Sequence, residues 1–179
     1  MNKVLHKTEF GNPVLRSVAR RLNNDEIVSV DIQQLLQDMY HTLEHKKYGV
    51  GIAAPQVGLS VAISVIDTKP TPTRPELARQ QLTIINPEIV EAYGRKKQQW
   101  EGCISGSNLY AKVPRYTKVR LKWLDEKAEP HEQDFDGFLA HVIQHEVDHL
   151  NGVLFVDRVV DAKTYMTFGE YKKMRDKES

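Results

Sequence analysis

Between Phe138 and Leu150 the sequence carries two stripes at helical spacing, Leu139, Ile143, Val147 and Leu150 on one and His141, His145 and His149 on the other. A helix of this kind has a core side and a chemical side, so it belongs at the centre of a fold with other elements packed around it. Asp136 and Gly137 precede it and Asn151-Gly152 ends it. Inside it, Gln144-His145-Glu146-Val147-Asp148-His149 holds a His-Glu-x-x-His pentad whose imidazoles, at i and i+4, leave one face together and can share a metal ion. Glu146 follows the first of them and points at whatever the metal holds.

The remaining elements are one more long helix, a terminal helix and several short strands. Ile32, Leu35, Leu36, Met39, Tyr40 and Leu43 recur at helical spacing and predict an amphipathic helix over Ser29–Lys46. Val61–Ile66 reads as a buried strand, and Thr68–Gln80, with its prolines and mixed charges, as an exposed loop. Leu82–Ile85 and Ile89–Tyr93 follow as separate strands, and Tyr116–Trp123 alternates apolar and cationic residues like a strand with one wet face. Val153–Val156 reads as a further strand and Thr164–Lys177 as a terminal helix. Few helices among short neighbouring strands predict an α+β fold, with antiparallel strands around the central helix.

With 179 residues, the chain suits a single domain, residues 1–179, that can bury a core without disulfides. A net charge of +1 provides no broad field for nucleic acid or membrane, so sequence-specific nucleic-acid binding is not expected. Met1–Arg21 has no apolar core of secretory type and no apolar run approaches a membrane span, so the expected location is the cytoplasm. The single cysteine, Cys103, cannot form an internal disulfide and is free to serve as a thiolate.

Two neutral imidazoles and a thiolate make a three-ligand set for zinc or ferrous iron that leaves a fourth position open, the mark of catalysis. Glu146 is then placed to accept a proton from water and return it to a leaving group, which is the hydrolysis of a carbonyl substrate. Gly102 beside Cys103 allows close backbone approach to a metal or substrate. Gly49–Gly58, rich in glycine and alanine with one amide side chain, Gln56, can pass close to a ligand but lacks phosphate-binding spacing.

Gly49–Gly58, Glu101–Ser105 and Gln144–Gly152 occur in the order and spacing of the three signature motifs of peptide deformylase, which this sequence resembles over nearly its whole length, including Gly11–Arg16 and Gly152–Phe155. The resemblance implies a cytoplasmic hydrolase that removes the formyl group from formyl-methionine at the N-terminus of nascent bacterial or organellar proteins and releases formate. It implies that Cys103, His145 and His149 hold one divalent metal ion, Fe2+ in the cell with Zn2+, Ni2+ or Co2+ also accepted, and that Glu146 is the general acid/base. It further implies an oxyanion hole from the Gln56 amide and the Ile104 backbone N–H, with Val50, Gly51, Glu101 and Gly102 bordering the peptide. Transient ribosome association through the terminal helix also follows from it, although Asp161–Ser179, with five Lys/Arg and four Asp/Glu, is balanced in charge.

Three positions depart from the family pattern. Ile104 stands for a usual leucine, Gly106-Ser107 for an aliphatic residue and proline, and His141 for an aliphatic residue, where it is expected to edge the side-chain pocket and adjust its polarity. Two rival readings share the pentad. A metzincin would need a third histidine where Phe155 stands, and a gluzincin would recruit a downstream glutamate such as Glu170. A non-catalytic relative that docks on ribosomes would not need Gln56 and Glu146, both of which are present.

Overall fold

The computed structural model describes residues 2–46, 49–70, 77–106 and 108–178. Among them, one antiparallel sheet runs β1 (Gly51–Ala53), β2 (Ile63–Thr68), β3 (Gln80–Gly102), β4 (Leu109–Leu124) and β5 (Pro130–Asp136), while β6 (Met166–Thr167) pairs with the other end of β4. The helices are a single turn α1 (Asn24–Ile27), α2 (Val30–Glu44), α3 (Gly137–Leu150) and α4 (Phe168–Glu178). The fold is α+β.

β2 shows how the layers are built. Every residue in it is buried, because alternate side chains face different helices. Ile63 and Val65 pack with Leu35, Leu36, Met39 and Leu43 of α2, and Ile66 packs with Ile143 and Val147 of α3. Burial on both faces explains why Val61–Ile66 is apolar without alternation. Ser64 is the polar exception on the α3 side.

α3 is enclosed nearly all round, with ten of its fourteen residues buried, and so its imidazole stripe is interior as well as its apolar one. Asp136 occupies the N-cap position without a side-chain cap bond. The Gln144 amide ties the helix to β4 by accepting from Tyr116 N (3.1 Å) and donating to Tyr116 O (2.9 Å). Gly152, at φ 70°, follows the helix where a β-carbon would lie 2.5 Å from the Arg16 carbonyl, so the chain's first turn seals the helix end.

The structure revises four sequence expectations. Leu82–Ile85 and Ile89–Tyr93 belong to one strand that continues to Gly102. Asn86-Pro87 is absorbed as a bulge, with Asn86 at φ 51° and its amide bonded to both Leu22 N (2.9 Å) and Leu22 O (2.7 Å). β4 begins seven residues before Tyr116, at Leu109, and its early part carries proline and arginine that hide the alternation. Val153–Val156 is not a strand: Phe155–Arg158 is a 3-10 turn, closed where Asp157 accepts from Leu154 N at 2.8 Å. The terminal helix starts at Phe168, after a 3-10 turn over Ala162–Thr164 and the short β6. Of the expected Thr68–Gln80 loop, both end residues lie in strands and residues 71–76 fall outside the described residues.

Candidate metal centre

Cys103 follows the last residue of β3 and opens a tight turn in which Gly106 N donates to Cys103 O at 2.9 Å. The N-terminal segment pins this turn to the Gln56 turn: Phe10 N donates to Ser105 O (3.0 Å) and Thr8 N to Gln56 O (2.7 Å). Opposite them, α3 presents His145 and His149. Cys103 Sγ lies 3.3 Å from His149 Nε2, which lies 3.2 Å from His145 Nε2, and all three donor atoms fall within 4.8 Å of one another. Ligands held at zinc or iron bond lengths in a tetrahedron stand about 3.3–3.6 Å apart, so the trio is spaced to share one ion.

Glu101 completes this set from behind. Its Oε2 accepts from His145 Nδ1 at 2.8 Å, which leaves His145 Nε2 with the lone pair a metal requires. Arg115 donates to both Glu101 oxygens at 2.7 and 3.0 Å, and its NH1 reaches Asp148 (2.6 Å), which Arg158 also holds. Burial disfavours charge on Glu101, but hydrogen bonds from His141, His145 and Arg115 outweigh it and keep the carboxyl well below the usual range. Burial likewise opposes charge on His145, while Cys103 and Glu101 together hold its pKa well above the ordinary value, so an ion binding at Nε2 would displace a proton from it. His149 is pushed well below its ordinary value by burial and by the charge on His145.

Glu146 is 3 % exposed and accepts from Ser64 Oγ at 3.1 Å. Burial raises its pKa to about 7, against the opposing pull of His145 and Ser64, which suits a group that takes and gives a proton near neutrality. Gly51 lies against it: a β-carbon there would sit 2.3 Å from Glu146 Oε1. Gln56, in the 3-10 turn Ala54–Val57, is oriented by Ala53 N, which donates to its Oε1 at 2.8 Å. Its Nε2 is therefore turned toward Cys103 Sγ, 3.2 Å away. Among the described residues the Ile104 N–H has no hydrogen-bond acceptor.

The sequence-predicted residues thus fall into three groups. Cys103, His145, His149, Glu146, Gln56 and Ile104 converge, and Gly51 and Gly102 border them, with Gly102 covered by the Tyr110 ring. Val50 packs beside α3. Glu101, expected to border the peptide, is instead 4 % exposed with both oxygens engaged by protein donors, so its place is behind the ligands. His141 is also interior, at 6 % exposure, and bonds to Glu101. Glu170, the alternative ligand, is on the outside of α4 paired with Lys173. Ser107 lies outside the described residues.

Sequence reasoning missed Ser64, Arg115 and Asp148. Each left a signal: a hydroxyl in a strand buried on both faces, an arginine on the β4 face that otherwise carries Ala111, Val113, Val119 and Leu121, and a carboxylate inside the pentad. The arginine precedes by one residue the alternating run that begins at Tyr116, and β4 reaches back past it to Leu109.

Comparison with known proteins agrees with this geometry. The family model for polypeptide deformylase matches residues 4–165. The peptide deformylase of Leptospira biflexa is 38% identical over 161 residues, 88% of each chain, and that of Aquifex aeolicus 37% identical over 165 residues, 92% of this chain and 93% of its own. A crystal structure of the Acinetobacter baumannii class I type b peptide deformylase with Met-Ala-Ser bound has a TM-score of 0.84 at 36% identity, covering 89% of this chain and 100% of that one. The Synechococcus elongatus peptide deformylase in complex with actinonin gives a TM-score of 0.79 at 36% identity, over 96% of this chain and 86% of that one. The chain belongs to the polypeptide deformylase family, hydrolases that remove the N-formyl group from nascent peptides.

Proposed function

We propose that Cys103, His145 and His149 hold one divalent metal ion, Fe2+ in the cell with Zn2+, Ni2+ or Co2+ able to replace it, and that Glu146, Gln56 and Ile104 act on formyl-methionyl peptides beside it. The observation that supports this most is the convergence of three donor atoms within 4.8 Å on a point faced by the Gln56 amide. When bound, the ion supplies a Lewis acid that polarises the formyl carbonyl and lowers the pKa of water toward neutrality. Glu146 removes a proton from the water that attacks the formyl carbon. Gln56 Nε2–H and Ile104 N–H donate to the formyl oxygen as negative charge grows on it, each such donor being worth about 3 kcal/mol. Glu146 then passes its proton to the amine nitrogen as the carbon–nitrogen bond breaks, so one water and one formamide become formate and a free N-terminus. Gly51, Val50 and Gly102 border the peptide.

The same reading places the enzyme in the cytoplasm as a single domain acting on chains as they emerge, with transient ribosome contact through α4. Formate release from a short formyl-methionyl peptide, assayed anaerobically with defined metal, tests the chemistry. Glu146→Ala should keep the metal and lose release; a variant as active as the native chain removes Glu146 from the mechanism. Co-sedimentation with ribosomes at low salt, with and without residues 168–178, tests the docking.

A further inference from the structure

Glu101 accepts from four donors: Arg115 Nε and NH2, His145 Nδ1, and His141 Nε2, the last at 2.8 Å on Oε1. Arg115 balances its charge and His145 receives its orientation, but His141 stands outside the ligand cluster and is buried against the edge of Phe138. With Arg115 paired to it through both nitrogens, Glu101 is a carboxylate and takes donors only. His141 Nε2 must therefore carry its hydrogen, and Nδ1, which is buried with no partner among the described residues, is the lone-pair side. A buried imidazole that leaves one nitrogen unsatisfied is costly, so the bond it does make should repay that cost.

We propose that His141 is a positioning residue that acts through Glu101, fixing the plane of the carboxylate that aims His145 at the metal. This rests on reading Cys103, His145 and His149 as the ligands. Each Glu101 oxygen carries one guanidinium N–H and one imidazole N–H, so the carboxylate is held symmetrically from both sides. Loss of the His141 bond frees it to rotate about the Arg115 fork, and the His145 ring turns with it. Partners bonded directly to a ligand, as Glu101 is to His145, typically change metal affinity about 10–100-fold, and a residue acting through Glu101 belongs at the lower end of that range.

The test is the affinity of the full chain for Co2+, measured by chelator competition, together with the cobalt absorption spectrum. His141→Leu, or His141→Met should leucine not fold, should weaken binding at least about tenfold and shift the cobalt bands, whereas His141→Gln, which can restore an N–H donor, should recover most of the loss. In a Glu101→Gln background the His141→Leu change should alter affinity less than about twofold, because the path through Glu101 is already broken. Native-like affinity and bands in both apolar variants, or a full additive loss in the Glu101→Gln background, overturns the proposal while leaving the ligand assignment intact. If Cys103→Ser fails to weaken cobalt binding, the ligand assignment fails and this role falls with it.

Discussion

At the scale of single residues, the site depends on what is kept small and what is kept dry. Gly51 lies against the carboxylate proposed as the acid/base: a β-carbon there would overlap Glu146 Oε1. Gly51→Ala should therefore cut kcat/KM about 100-fold or more while the metal is retained, since displacement of reacting groups by about 1 Å has that effect. Metal content measured beside formate release checks it, and equal loss of both would show the change to be structural. Glu146 also predicts a pH dependence. Its folded pKa, about 7, exceeds that of an unfolded carboxyl, so the folded chain binds the extra proton and is stabilised at low pH. That stability is lost as pH rises from about 4.5 to about 7. In urea titrations of metal-free protein, Glu146→Gln should gain on the native chain across this window; a constant difference would show that the carboxyl titrates normally. The pentad and Cys103 were legible from chemistry alone because metal ligation restricts residue types severely. The partners of Glu146 and His145 were not, because a serine or a glutamate has many uses and only distance selects one.

At the scale of elements, polar side chains set the registers that apolar packing leaves open. Gln144 meets both backbone groups of Tyr116 and so fixes how far α3 slides along β4. Arg115 joins β3 to α3 through Glu101 and Asp148. Both of those carboxylates are buried, so Arg115→Ala should destabilise the fold by about 3–5 kcal/mol, the usual cost of stranding buried charge, seen as a lower urea midpoint. A loss below 1 kcal/mol would mean that water enters and solvates the pair. The long helices and the strand Val61–Ile66 were visible in the sequence through their apolar spacing. β5 was not: six of its seven residues are exposed, and its place is set by pairing with Lys118–Leu124 of β4 rather than by a buried face. β3 shows as two pieces in the sequence for a different reason: Asn86-Pro87 breaks the strand pattern, but its bulge does not break the strand.

At the scale of the molecule, the proposed metal would join parts of the chain that share no local structure. Cys103 belongs to the end of β3, His145 and His149 to α3, and β4 and β5 lie between them in sequence. An ion that binds only the folded arrangement stabilises it by mass action, about 2.7 kcal/mol at one hundred times its dissociation constant. Chelation should thus lower the melting temperature by about 5–10 °C for a chain of this size, and Cys103→Ser should respond to chelator far less. An unchanged melting temperature in the native chain would mean that the three donors do not bind an ion together. α4 begins beyond the part matched by the family, which ends at residue 165, and Tyr171 stacks on Tyr110, with ring centroids 4.4 Å apart, beside the strand end that carries Gly102.

The close approach of Gly152 to Arg16 has a kinetic side. The turn after α3 cannot be sealed until Arg16 returns to Gly152, and the donor trio cannot close until His149, 46 residues after Cys103, has been made. Folding should accordingly be slow for the domain's size. On the ribosome, a growing copy of this protein holds a lone thiol and no metal site until synthesis has passed α3, so it cannot begin to process other chains while most of its own is still being made.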